Sequence, residues 1–204
     1  MDFIAAYSLS MREREMHIVL RTPRLAIRQF TEDDVENLFD LNSDPEVMRY
    51  LGRPPSREVL RDRIIPFFLD AYQRLDRLGT WAAESADRGE FLGWFHFRPG
   101  PDGDITNIDL GYRLCRSTWN HGYATEGSRA LINMGFTDLG VQRVFGHTMT
   151  VNNASRHVLE KCGLTLVRTT AYEGPDADVI DGAEHGEVEY ALTKPEWEAS
   201  ALAS

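Results

Sequence analysis

The segment Trp119-Asn120-His121-Gly122-Tyr123-Ala124-Thr125-Glu126 stands where a strand-like stretch gives way to a long helical pattern. The first N–H groups of a helix lack intrahelical acceptors, and the helix dipole adds partial positive charge there, so such an end binds anions. Gly122 and Ala124 let a ligand approach the backbone closely. The same residues also fit a plain strand-to-helix turn in which Gly122 only supplies a backbone angle. The spacing is neither a Walker loop nor a G-x-G-x-x-G dinucleotide turn. His96 lies two residues from Trp94 and shares its strand face, which makes it a candidate base, with a structural histidine as the plainer reading. Arg116 and Arg156 flank the expected anion site and are candidates for phosphate oxygens.

These groups must be carried by a chain of 204 residues, long enough for one domain with its own core. A net charge of -10 argues against a nucleic-acid-binding face, which needs a basic patch. An acidic protein that binds an anion must therefore use local donors. No apolar run approaches a membrane span, and Met1 to Tyr7 lack the basic and apolar regions of a secretory signal, so a cytoplasmic protein with no membrane contact is expected. Cys115 and Cys162 show no metal spacing and no paired histidine; they read as packing residues, and no metal is expected.

The polar, irregular residues 1–16 read as an N-terminal extension, 17–198 as a single domain and 199–204 as a tail. Ile18, Leu20, Leu25 and Ile27 alternate as a strand broken at Thr22-Pro23. Thr31-Glu32-Asp33-Asp34 resembles a capping box before a helix, and a second helix from Ser56 should bend or divide at Pro66. Thr80–Ser85, Phe91–Phe97 and Asn107–Cys115 read as three successive strands. A helix over Tyr123–Leu139, a strand over Val144–Val151, a helix over Ala154–Cys162 and strands over Leu164–Thr170 and Glu187–Leu192 complete the order. That order predicts an α+β or mixed α/β layer around a central sheet.

Three segments in order carry a family likeness: Leu110-Gly111-Tyr112-Arg113-Leu114, then Trp119 to Glu126, then Asn152-Asn153-Ala154-Ser155 through Gly163-Leu164. With Leu20-Arg21-Thr22-Pro23-Arg24-Leu25, Asp44-Pro45-Glu46-Val47 and Glu189-Tyr190-Ala191-Leu192, they resemble the GNAT superfamily of N-acetyltransferases, in its RimJ/RimL-like, ribosomal-protein acetyltransferase branch. The resemblance implies a mixed, mostly antiparallel sheet with two parallel strands splayed apart. It also implies acetyl-CoA as cosubstrate and direct transfer to a primary amine, either a peptide N-terminus or a small amine, and it leaves room for a homodimer.

By the same resemblance, Trp119, Gly122 and Ala124 fill the Q/R-x-x-G-x-G/A acyl-CoA signature, and the amides of His121 to Thr125, with Asn120 and Tyr123 in the turn, hold the CoA pyrophosphate. The pantetheine arm lies along Leu110, Gly111 and Tyr112, where Gly111 fits a bulge that frees an amide for the thioester carbonyl. Asn152 contacts the pantetheine. Ser155 is a proton relay to the departing thiolate or, alternatively, a first-turn helix hydroxyl. Many members carry a tyrosine where this chain has Leu159, which favours Ser155 or a water, with Tyr172 a weaker candidate. Asp109 takes the place of a frequent glutamate and is expected to help deprotonate the amine, beside His96 and Glu173. The acidic loop 173–178 is either a solvated loop or the lining of an amine-binding mouth. The competing reading is a non-catalytic acyl-CoA-binding or regulatory module.

Overall fold

The computed structural model describes residues 17–202, so the N-terminal extension expected over 1–16 lies outside the described residues. Eight strands form one sheet in the order β1-β2-β3-β4-β5-β6-β8-β7. They are β1 (Ile18–Arg21), β2 (Leu25–Arg28), β3 (Gly79–Ser85), β4 (Phe91–Pro99), β5 (Asn107–Leu114), β6 (Arg143–Met149), β7 (Thr165–Thr170) and β8 (Glu187–Thr193). Every neighbouring pair is antiparallel except β5 and β6. This is the mixed sheet with one parallel pair that the sequence suggests.

The helices are α1 (Val35–Ser43), α2 (Pro45–Met48), α3 (Arg57–Val59), α4 (Ile65–Arg74), α5 (Tyr123–Asp138), α6 (Asn153–Lys161) and α7 (Lys194–Leu202). Between α3 and α4 the backbone does not break: Leu60–Ile64 is a π-helical stretch, and Pro66 falls in the first turn of α4. A widened turn just ahead of the proline accommodates the missing N–H, so the expected division becomes a local change of pitch. The chain also does not close on β8. Lys194-Pro195 opens α7, whose Trp197 packs on Phe136 at 5.4 Å between ring centroids.

Both faces of the sheet are covered. On one, Phe95, Phe97, Ile108 and Leu110 bury against Leu131, Ile132 and Phe136 of α5 and Leu159 of α6. On the other, Phe30, Leu38, Leu60 and Ile65 form a smaller core under α1 and α4, with Trp94 at its margin. Each such side chain stabilises the fold by about 1.5–3 kcal/mol on burial. Arg28, buried with Asp34 and Glu84, ties β2, β3 and the turn before α1. Burial alone would raise the Asp34 carboxyl, but the Arg28 fork and the Thr31 amide hold it below the usual carboxylate range.

Candidate active site

The ladder between β5 and β6 runs only from Asn107↔Arg143 to Asp109↔Phe145. Beyond it β6 continues to pair with β8, and β5 with β4. The two strands therefore diverge at Leu110. Cys115 N–H donates to the Leu92 carbonyl, so odd-numbered residues of β5 turn their backbone groups toward β4 and even-numbered ones toward the gap. Leu114 uses its carbonyl there to accept from the Trp119 indole N–H at 2.9 Å. The Tyr112 amide faces the same gap, two residues short of that contact. The strand splits with no bulge at Gly111, whose register with His96 is regular.

What Gly111 supplies is room. A Cβ there would come within 2.5 Å of Cε1 and Nε2 of the His96 ring, so the imidazole lies over the glycine. From that position Nε2 reaches to 3.2 Å of Asp109 Oδ2. The approach is too oblique for a hydrogen bond, and Nε2 is sealed from solvent with no acceptor. Burial raises the Asp109 carboxyl, but His96, Arg98 and His147 outweigh it, and the group is held below the usual carboxylate range. Trp94 stacks on His96 at 5.7 Å between centroids. Two residues that the sequence suggested separately thus form one His–Asp pair on the face of β5 opposite the α5 core.

On the other face, Tyr112 reaches across to α6. Its hydroxyl lies 3.1 Å from the Ser155 carbonyl oxygen and 3.2 Å from Ser155 Oγ. Burial pushes the phenol well above its ordinary value, beyond the lowering effect of the Ser155 contact, so it stays protonated. The cap of α6 is Asn152, whose Oδ1 accepts from Ser155 N–H at 3.2 Å, so the Ser155 hydroxyl is not the capping group. Leu159, in the place of the family tyrosine, is 2% exposed and belongs to the core.

The turn into α5 is built around two left-handed residues, Asn120 (φ 63°) and Gly122 (φ 82°). The first helical hydrogen bond runs from Glu126 N–H to the Gly122 carbonyl, which leaves the amides of Tyr123, Ala124 and Thr125 as free donors of the first turn. His121 Nδ1 contacts the Trp119 carbonyl at 2.8 Å and its ring stacks on Tyr123, fixing the turn. The amide run suits a pyrophosphate without a basic surface.

The cation beside this turn is Arg24, which sequence reasoning passed over although it lies in the Leu20–Leu25 segment. Its Nε donates to Glu126 Oε2 at 2.6 Å and its Nη1 to the His121 carbonyl at 2.8 Å, with the guanidinium 4.7 Å over the Tyr123 ring. Arg156 instead binds the Tyr190 hydroxyl and the Thr150 carbonyl, and Arg116 lines a separate cavity of about 740 Å³ with Asp40 and Asp44. In the acidic loop, Asp176 and Asp178 are paired with Arg53, while Tyr172 donates to the Pro175 carbonyl. Glu173 is exposed on that loop. Burial raises the Cys162 thiol to about 11, as befits a packing residue. Among the described residues, no group of three or more His, Cys, Asp or Glu is placed to hold a metal ion, and no helix is long and apolar enough to cross a membrane.

Comparison with known proteins agrees with this geometry. Residues 24–165 match the acetyltransferase (GNAT) domain family. The FsC-acetyl coenzyme A-N(2)-transacetylase of Aspergillus fumigatus is 34% identical over 87% of this chain and 77% of its own length. The uncharacterized N-acetyltransferase YoaA of Bacillus subtilis is 28% identical over 88% of this chain and 99% of its own. Among solved structures, an acetyltransferase from Salmonella typhimurium that modifies the N-terminal serine of ribosomal protein L7/L12 superposes with a TM-score of 0.72 at 19% identity, covering 87% of this chain and 99% of that one. A split parallel pair, an amide-lined helix start and a matching family model over most of the chain lead to one conclusion: the protein belongs to the GNAT acetyltransferases and is an N-acetyltransferase.

Proposed function

We propose that the split between β5 and β6 is where an acetyl group passes directly from acetyl-CoA to a primary amine, with the two faces of β5 dividing the proton chemistry. The observation that carries this reading is that the ladder stops at Asp109↔Phe145, with the His96–Asp109 pair on one face and the Tyr112–Ser155 pair on the other. Acetyl-CoA supplies the activated thioester; its pyrophosphate is taken by the amides of His121 to Thr125, with Asn120, Gly122 and Arg24 shaping the turn. Leu110, Gly111 and Tyr112 line the arm, and the Tyr112 amide facing the gap is the donor for the thioester carbonyl oxygen. Asn152, whose Oδ1 caps α6, keeps its Nδ2 donors for the same arm.

An amine is mostly protonated near pH 7, so a base is needed before it can attack. Asp109, held below the usual carboxylate range, is a weak base but a stable anion. His96 takes the amine proton, and the Asp109 carboxylate offsets the imidazolium that results. Across the strand, Ser155 Oγ passes a proton to the departing sulfur and is resupplied through the Tyr112 hydroxyl. The loop carboxylates Asp176 and Asp178 are given no part in proton transfer, since both are already engaged by Arg53.

The test is thiol release from acetyl-CoA in the presence of an amine panel of peptides, polyamines, amino acids and aminoglycosides. Acceptor-dependent release is expected. Saturable acetyl-CoA binding with no acceptor-dependent release would leave the acyl-CoA-binding module as the correct reading.

A further inference from the structure

β7 and β8 are antiparallel neighbours in the sheet, so a turn of about two to five residues would join them. The chain uses residues 171–186 for this connection instead. Connections of that length in compact domains belong mostly to binding loops and lids. The loop turns back over the sheet, where Ile180 and Ala183 pack on Met149 with Tyr50 and Tyr172 at the margin. Met149 follows Phe145 and His147 on the same face of β6, and Phe145 is the register partner of Asp109. The loop therefore roofs the His96–Asp109 face at the end where β5 and β6 have parted.

Among the described residues, its ion pairs to the rest of the chain run only to Arg49 and Arg53, just after α2. Arg53 grips two carboxylates: Nη1 pairs with Asp176, and Nη2 donates to Asp178 Oδ2 at 2.7 Å. Asp176 Oδ2 also accepts from the Arg53 amide at 3.1 Å. Arg49 Nε donates to Asp181 Oδ2 at 2.6 Å, and the Arg49 carbonyl accepts from the Asp181 amide at 3.1 Å. The seat is shaped on both sides. Asp176 holds a left-handed backbone (φ 64°), and its carbonyl accepts from the amides of Val179 and Ile180. A Cβ on Gly52 would come within 2.7 Å of Asp176 Oδ2, so a side chain there would push the carboxylate out. The clasp also sets the width of a cavity of about 580 Å³, walled by Asn42, Met48, Arg49 and Gly52 on one side and by Val179 and Asp181 on the other. Asn42 accepts from Arg113, two residues beyond Gly111, so the cavity adjoins the face that carries His96 and Asp109. Arg49, Arg53, Asp178 and Asp181 are exposed, and exposed ion pairs hold weakly and are screened by salt. The wall is therefore set in place by contacts that one substitution or added salt can loosen.

We infer that Arg53, seconded by Arg49, is a positioning residue for the acceptor: it clasps the 171–186 loop against the end of α2 and so fixes one wall of the cavity through which the amine reaches His96 and Asp109. This inference rests on the acetyltransferase reading given above and assigns residues that shape acceptor entry to the same site. Neither arginine touches a reacting atom. Loosening the clasp weakens acceptor binding, while acetyl-CoA, held by the turn into α5, is unaffected.

The experiment uses the full chain and two readouts, one of which does not depend on turnover. Hydrogen exchange with CoA present follows the amides of residues 171–186, and thiol release follows glycylglycinamide, spermidine and ornithine as acceptors. In the wild type, raising salt from about 0.05 M to about 0.5 M should speed exchange in this loop and leave α5 unchanged. Arg53→Gln should exchange fast in the loop at either salt and raise the acceptor KM by about fivefold or more, with kcat and the acetyl-CoA KM within about twofold. Arg53→Lys, which keeps the charge without the fork, should recover part of both effects. Gly52→Ala, which drives Asp176 from its seat by another route, should repeat the rise in acceptor KM. Loop exchange that is unchanged in folded Arg53→Gln, or an acceptor KM within about twofold of the wild type, overturns the inference. So does a variant in which acetyl-CoA KM rises as much as acceptor KM. Failure of every acceptor to release thiol would strike the catalytic reading and the acceptor role with it, and hydrogen exchange would then judge the clasp alone.

Discussion

The imidazole of His96 and the Cα of Gly111 are cross-strand partners in such close contact that no side chain fits between them. The glycine is what lets the ring lie flat and reach Asp109. Gly111→Ala should therefore displace the ring while β5 keeps its register, since φ at this position is not left-handed. Loss of a positioned base costs about 10²-fold or more in rate. A fall of that order in kcat, with Tm lowered by only a few degrees, is the expected result; full activity in the alanine variant would remove His96 from the mechanism.

Asp109→Asn tests the other half of the pair. With the anion gone, the His96 imidazolium loses its compensation, and kcat at pH 7 should drop by about 10²-fold. Acetyl-CoA affinity should be unchanged. The deficit should shrink as pH rises and free amine becomes abundant. A loss below about threefold across the whole range would pass the role to solvent.

Tyr112 and Ser155 are expected to act as one unit. Tyr112→Phe and Ser155→Ala should each slow transfer, and the double variant should be little worse than the slower single one, because residues in one network are not additive. Tm must be compared first, since Tyr112 is packed against the core. Additive losses in a double-mutant cycle would show that the two hydroxyls work separately.

Arg24 should govern cosubstrate affinity and leave the chemical step alone. Its bonds to Glu126 and to the His121 carbonyl hold the amide-rich turn in shape from outside. Arg24→Ala is expected to raise the acetyl-CoA KM by about 10- to 100-fold, the effect of losing one charge-assisted contact of about 1.5–3 kcal/mol, with kcat nearly unchanged. Equal falls in kcat and kcat/KM would contradict this division.

Removing Arg28 leaves Asp34 and Glu84 buried without their shared cation. Arg28→Met should destabilise the fold by about 3–5 kcal/mol, a Tm loss of roughly 6–20 °C for a chain of this size. The depressed Asp34 pKa sets the pH dependence. A carboxylate with its folded pKa below the unfolded value of 3.8 contributes stability fully above that pH, and the contribution is lost as pH falls through the folded pKa. In the variant, burial without Arg28 raises these carboxyls, so they take up protons and shed their penalty above the usual carboxylate range. The Tm difference should be largest at neutral pH, begin to narrow above about pH 4 and go on narrowing as the wild-type pair protonates. A constant difference down to pH 2 would show that the carboxylates contribute through packing alone.

Local rules made much of the protein legible from its residues. Alternation at Trp94 and His96 put both on one face, and they stack there. The small residues after Trp119 announced an amide-lined helix start, whereas the cap of the next helix, expected at Ser155 if anywhere, is Asn152. The order of elements, with the spacing of the quoted segments, led to the GNAT family that the domain match shows. These features depend on residues within one or two turns or strand steps of each other, which is the range over which a backbone period carries information.

Local patterns failed where a segment had a second solution. Gly111 could serve a bulge or a close approach, and only the ring of His96 from the neighbouring strand decides for the approach. Pro66 could break a helix or be absorbed by a wider turn, and the packing of α4 over Phe30 favours absorption. Arg24 against Glu126, Tyr112 against Ser155 and Arg113 against Asn42 join residues far apart in sequence. No period links such pairs; they meet because the sheet order brings β2 near the start of α5, β5 under α6 and α1 over β5. Composition and periodicity determined which elements form and which faces they bury. The tertiary packing alone decided which charges find partners, and so which arginine clamps a turn, which one is locked in the core by carboxylates, and which one is buried against Trp94 and Asn42 without a carboxylate.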